Sequence, residues 1–164
     1  MPAPPLTVPT AGGPPWTLAE RRPERFALLV FYRGYHCPVC KTYLRELNRR
    51  VEEFAARGVE VIAISGDDQT RAERTRAEWE LDRITVGYGQ PLESMRAWSL
   101  FVSRGITESE PARFAEPGLF LVRPDGTVYY IALNSMPFGR PALGDMLGAI
   151  DFVIARDYPA RGET

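Results

Sequence analysis

Apolar residues along this chain fall into short, mostly apolar runs separated by stretches with helical spacing. The runs are FALLVFY (26–32), VEVIAIS (59–65) and GLFLV (118–122), with a shorter ITVGY at 84–88. Such lengths without polar alternation predict strands buried on both faces. Between the first two runs, Cys40, Leu44, Leu47, Val51 and Phe54 repeat at spacings of four and three, the buried stripe of an amphipathic helix. Pro38 suits the opening position of that helix, because the first helical N–H needs no partner. The helix is expected to run to about Arg57, where Gly58 is a natural stop.

GDDQTRAERTRAEWE offers aspartate caps and then a second helix, whose interleaved arginines and glutamates read as a solvated face. PLESMRAWSLFVS (91–103) predicts a short helix followed by irregular chain. RPDG is a turn joining GLFLV to TVYYIAL as a hairpin. Leu143, Met146, Leu147, Ile150, Val153 and Ile154 line one side of a closing helix. Alternating strands and helices imply a parallel sheet covered by helices on both faces, and the final hairpin makes it mixed, so the fold class is α/β. Residues 1–25, rich in Pro and Gly, are expected to form an irregular lead-in packed on the domain. One domain then spans 26–158, and 159–164 form a tail.

Composition narrows the function classes. A chain of 164 residues fits one domain, and 45% apolar with 25% charged residues is a globular profile. A net charge of −1 gives no basic stripe for nucleic acid. No apolar run approaches a membrane span, so neither nucleic acid nor membrane is an expected partner. The start MPAPPLTVPTAGGPPW has neither a basic nor an apolar stretch, so a signal peptide is not expected and the expectation is a cytoplasmic protein. There is no Gly-rich phosphate loop and no carboxylate pair placed for acid–base chemistry.

The candidate chemistry sits in FYRGYHCPVC (31–40), which holds both cysteines and the only histidine. The spacing of Cys37 and Cys40 brings both sulfurs to one face of the helix start. Cys40 belongs to the apolar stripe, and Cys37 is expected at an exposed lip. A helix N-terminus carries about half a positive charge and favours thiolate, the reactive form. Arg33 and His36 are candidate positive neighbours, although His36 serves equally well as a solvent-facing residue. Two rival readings stand. A structural zinc site needs about four ligands, and this chain supplies at most three. Inert core cysteines are common, but a strand-to-helix junction with an intervening proline favours reactivity.

The strand LLVFYRG, the C-x-x-C helix, VEVIAIS and PGLFLVRPDGTV resemble the thioredoxin superfamily, specifically the peroxiredoxin-like branch of alkyl hydroperoxide reductase and thiol-specific antioxidant type, over residues from about 6 to 155. The resemblance implies a thioredoxin-like fold and thiol-based oxidoreduction of peroxides or protein disulfides. It implies re-reduction by a cellular dithiol of thioredoxin or glutathione type, without metal or organic cofactor. It leaves room for a homodimer. The peroxiredoxin pattern places its Pro, Thr and attacking Cys where this chain has Arg33, Cys37 and Cys40, and its Arg where this chain has Pro117. By that alignment Cys40 attacks; by the thioredoxin alignment Cys37 does, with Pro117 as a cis-proline facing the pair. The place of Cys40 in the apolar stripe decides for Cys37 as nucleophile and Cys40 as the resolving thiol that closes an intramolecular disulfide. The resemblance also brings NSMPFGRP (134–141) to the border of the site. Tyr35, Met136, Phe138 and Arg140 are then the candidate substrate-binding residues, and Trp98, Phe101 and Phe114 are read as core or lid packing. The alternative function is a non-catalytic redox sensor or binding protein on the same scaffold.

Overall fold

The computed structural model describes residues 1–163. Its strands are β1 (Thr7–Thr10), β2 (Gly13–Thr17), β3 (Phe26–Phe31), β4 (Val59–Ile64), β5 (Thr85–Gly87), β6 (Val102–Arg104), β7 (Arg113–Ala115), β8 (Gly118–Val122) and β9 (Val128–Leu133). Its helices are α1 (Pro38–Arg49), α2 (Val51–Ala55), α3 (Gln69–Glu78), α4 (Leu92–Ala97) and α5 (Leu143–Arg156). Seven strands form one sheet in the order β2-β1-β5-β4-β3-β8-β9, and β6 and β7 form a separate small hairpin. Strands β3, β4 and β5 are parallel, while β8 and β9 run antiparallel to β3 and to each other. The sheet is mixed, as the order of elements predicted.

Strand β3 lies near the middle of the sheet, and all six of its residues are buried. Successive side chains point to opposite faces. Leu28 and Val30 therefore pack with Leu44, Leu47, Phe54, Leu147 and Ile150 under α1, α2 and α5. Ala27, Leu29 and Phe31 pack with Met95, Trp98 and Phe120 on the other face. Both cysteines belong to the first cluster. Leu44 is completely buried one helical turn beyond Cys40. Leu44→Ala is expected to destabilise the domain by about 2–5 kcal/mol, read from the urea midpoint at unchanged slope.

Three elements depart from the sequence reading. The lead-in is not irregular: β1 and β2 extend the sheet, with Leu6, Val8 and Trp16 buried. Proline runs disguise them, yet Pro14 and Pro15 lie in β2, an edge strand paired on one side only and irregular in register there, where prolines are tolerated. The expected single helix from Pro38 breaks at Arg50, whose ψ of 3° interrupts the α-helical backbone before α2. Residues after α4 are not irregular either, since β6 pairs with β7. Gly58 ends the α2 region as expected, at φ +74°. The expected tail, 159–164, is irregular chain through 163, and Thr164 lies outside the described residues.

Candidate active site

Two loops shape the approach to the cysteines. After β3, Gly34 takes φ +138° and lies against the Asp67 carboxylate, where a Cβ would come within 2.7 Å of an oxygen. That close approach requires glycine. The Tyr35 N–H donates to Asp67 Oδ2 at 2.8 Å, so the β4–α3 connection fixes the loop before the helix. The Cys37 N–H then donates to the Gly34 carbonyl at 3.1 Å, and Pro38 opens α1.

Cys37 is the N-cap of α1. Its sulfur accepts a hydrogen bond from the Cys40 N–H at 3.3 Å, a role that oxygen side chains usually fill. Both thiols are free, and the cysteines approach to 2.8 Å. The Cys37 thiol is pushed down from 9.0 to about 6. A hydrogen bond from the Cys40 thiol is the largest cause, and burial opposes it. The Cys40 N–H, a hydrogen bond from Arg33 and the charge of Arg140 add to the lowering. Burial pushes the Cys40 thiol up strongly, so it stays protonated and donates to Cys37. One sulfur is thus charged and its neighbour neutral, because two thiolates in contact in a buried site would repel.

The expected exposed lip is absent: Cys37 is 1% accessible. Contact with a substrate therefore requires an opening around the sulfur. His36 is also corrected. Its ring packs against Phe114 at 4.8 Å between centroids, and its pKa falls to about 4, first through burial and then through the charge of Arg33. It is neutral at pH 7 and supplies no positive charge. Arg33 is the cation beside Cys37.

Pro117 is buried and its carbonyl accepts from Asn134 N–H at 3.0 Å, which places the β9–α5 loop beside it. All peptide bonds among the described residues are trans, so the cis-proline expectation fails. Arg140 from that loop donates through Nη2 to the Cys40 sulfur at 2.7 Å. Its guanidinium lies 5.1 Å from the Tyr43 ring, and the Tyr43 hydroxyl donates to the Pro141 carbonyl at 2.7 Å, tying the loop to α1. Met136 and Phe138 stand 51% and 60% exposed on the same loop. Tyr35, by contrast, is engaged away from the sulfurs. Its hydroxyl donates to Glu78 at 2.8 Å and accepts from Arg74 at 2.9 Å, and its ring stacks on Trp79. Trp98 and Phe114 are buried as packing residues, while Phe101 is exposed.

The sequence reading missed Glu116 and Ser103. Glu116 is buried beside Arg33, Nε to Oε1 at 3.0 Å, and accepts from Ser103 Oγ at 2.5 Å. The available signal was a carboxylate inside the apolar stretch FAEPGLF, which is rarely buried without a partner. No group of three or more His, Cys, Asp or Glu among the described residues is placed to hold a metal ion.

A family model described as the AhpC/TSA family matches residues 1–131. The chain belongs to the AhpC/TSA family. Curated relatives include thioredoxin peroxidase of Fasciola hepatica, 29% identical over 120 residues that cover 71% of this chain and 59% of that one. Alkyl hydroperoxide reductase C of Amphibacillus xylanus is 26% identical over 123 residues, covering 72% of this chain and 61% of that one. The chain spans less than two thirds of the length of these AhpC/TSA relatives. Among solved structures, the mitochondrial 2-Cys peroxiredoxin from Plasmodium falciparum aligns with TM-score 0.75 at 20% identity, covering 99% of this chain and 98% of that one. The reduced 2-Cys peroxiredoxin of Plasmodium vivax aligns with TM-score 0.74 at 17% identity, covering 95% and 96%. These neighbours give this AhpC/TSA chain the thioredoxin-like fold of peroxiredoxins, as the resemblance implied.

Proposed function

We propose that the chain is a thiol peroxidase that uses Cys37 as nucleophile and Cys40 as resolving thiol. The observation that carries this is the N-cap sulfur of Cys37, held as thiolate by a neighbouring thiol, a backbone N–H and Arg33. The thiolate attacks the terminal oxygen of a hydroperoxide. The O–O bond breaks, the alcohol leaves with a proton, and Cys37 becomes a sulfenic acid. Cys40, as thiolate, then attacks that sulfur, the S–O bond breaks, water leaves, and the disulfide closes. A cellular dithiol reverses the bond by exchange and is itself oxidised. The names of relatives, thioredoxin peroxidase among them, support such a reductant. This cycle needs a reducing compartment, which supports the cytoplasm as its place.

Peroxide is favoured over a protein disulfide by access. A sulfur that is 1% accessible admits a small molecule after slight opening, whereas a protein disulfide needs an exposed sulfur and a groove. Steady-state consumption of hydroperoxide and of a model disulfide, each with a thioredoxin system supplying electrons, tests the proposal. Turnover on hydroperoxide is expected to dominate. Stoichiometric oxidation without turnover on either would overturn it in favour of the sensor.

The pKa gives a second test. The rate of Cys37 alkylation by a small reagent should rise through a midpoint at about 6, well below the ordinary 9.0, in Cys40-containing protein. A midpoint near the ordinary value removes the nucleophile from the scheme. The sign for stability follows: the folded value lies below the unfolded one, so the ionised sulfur stabilises the fold fully above pH 9.0. That contribution is lost as pH falls toward about 6.

A further inference from the structure

Arg33 is a long side chain at the strand-to-helix loop, and its bond to Cys37 alone does not fix its guanidinium. The β6–β7 hairpin and the residues after it do so. Ser103 in β6 pairs in register with Phe114 in β7, and Glu116 follows two residues later. Alternation along extended chain sends Phe114 and Glu116 to the same side. There the Phe114 ring lies 4.8 Å from the Arg33 guanidinium, and Glu116 Oε1 lies 3.0 Å from its Nε. The Arg33–Glu116 contact is off the hydrogen-bond direction, so it acts through charge. Glu110 lies farther off, at 3.9 Å from Arg33 Nη2. Glu116 is itself held at two points. Its N–H donates to the Phe101 carbonyl at 2.7 Å, and its Oε2 accepts from Ser103 Oγ at 2.5 Å. The side chain of Glu116 is only 4% accessible and that of Arg33 is 16%. A buried carboxylate is costly unless a cation answers it, so this one requires Arg33 nearby.

We infer that Glu116, braced by Ser103, is a positioning residue that holds the Arg33 guanidinium against the Cys37 sulfur. The inference rests on the thiol-peroxidase reading of Cys37 and assigns the hairpin a part in it. Glu116 touches no reacting atom and acts only through Arg33.

Charge and position predict opposite signs when Glu116 is removed. As a bare negative charge, Glu116 would offset Arg33 and raise the Cys37 pKa, so its loss would lower that pKa. As a positioning residue, it keeps Arg33 in place, so its loss frees the guanidinium to turn toward solvent and the pKa climbs. The experiment measures the Cys37 pKa from the pH dependence of alkylation by iodoacetamide in the full chain. The variants are Glu116→Ala, Ser103→Ala and Arg33→Met, and each of the first two combined with Arg33→Met, all checked for folding by circular dichroism. Glu116→Ala is expected to raise the pKa by about one unit or more, the scale of losing an adjacent cation. Ser103→Ala, which removes one hydrogen bond and no charge, should raise it less. Neither should add to Arg33→Met, because the effect passes through Arg33. A fall, no change, or a rise that persists in the Arg33→Met background overturns the inference. Should Glu116→Ala not fold, Ser103→Ala decides, and no shift there overturns it. An ordinary pKa in the unmutated protein would instead defeat the reading of Cys37 itself.

Discussion

Cys37→Ser is expected to abolish peroxide turnover, a loss on the order of 10³-fold or more, as when an enzyme loses its nucleophile. Cys40→Ser should behave differently: one rapid oxidation per chain, then arrest, with the sulfenic acid trappable by dimedone. The asymmetry has a physical source. Cys37 caps the helix and collects hydrogen bonds from the Cys40 N–H and thiol, so its thiolate is populated at neutral pH. Cys40 lies in the apolar stripe and is held protonated by burial. A serine hydroxyl at position 37 keeps the cap and loses the nucleophile, so fold and reaction separate cleanly in this variant. Peroxide kinetics on both single variants check the result. A fast reaction confined to Cys40 would exchange the two roles and restore the peroxiredoxin-type alignment.

Arg140→Met should slow the second chemical step while sparing most of the first. Cys40 must lose its proton before it attacks the oxidised Cys37, and burial opposes that ionisation. The Arg140 guanidinium, 2.7 Å from the Cys40 sulfur, is the cation in place to stabilise the developing thiolate. A hydrogen bond to a charged group contributes about 1.5–3 kcal/mol, which corresponds to roughly a 10- to 150-fold slower disulfide closure. Single-turnover mixing with peroxide, quenched at intervals and counted for free thiols, separates the two steps. An unchanged closure rate would reduce Arg140 to a packing residue on Tyr43. Methionine keeps much of the aliphatic bulk, so the contrast isolates the charge.

The central strands were legible because burial on both faces leaves an unbroken apolar run, as in β3 and β8, and a nearly unbroken one in β4. The helix start was legible because Pro38 and the four-and-three stripe agree on where α1 begins. Edge strands escaped: β2 carries Pro14 and Pro15, which read as loop until the sheet order makes β2 an edge strand whose register with β1 is irregular beside them. The small β6–β7 hairpin has three residues per strand, too few for any period to declare itself. In the site, the closeness of the two sulfurs at the start of α1 was readable from local spacing alone. Arg140 is 100 positions from Cys40, so only the family resemblance could bring it near. The Arg33–Glu116 contact joins two loops that only the folded sheet makes neighbours. His36 misled for a related reason: adjacency in sequence suggested a charge, whereas burial removes it, and the Phe114 ring it packs against arrives from far along the chain.

The burial of Cys37 has a kinetic consequence. If the sulfur meets its oxidant only after its surroundings part, the observed rate climbs with oxidant concentration and then levels at the frequency of parting. Oxidants of unequal intrinsic reactivity, provided they fit, would then converge on one plateau, and the ceiling on speed belongs to the chain's own motion.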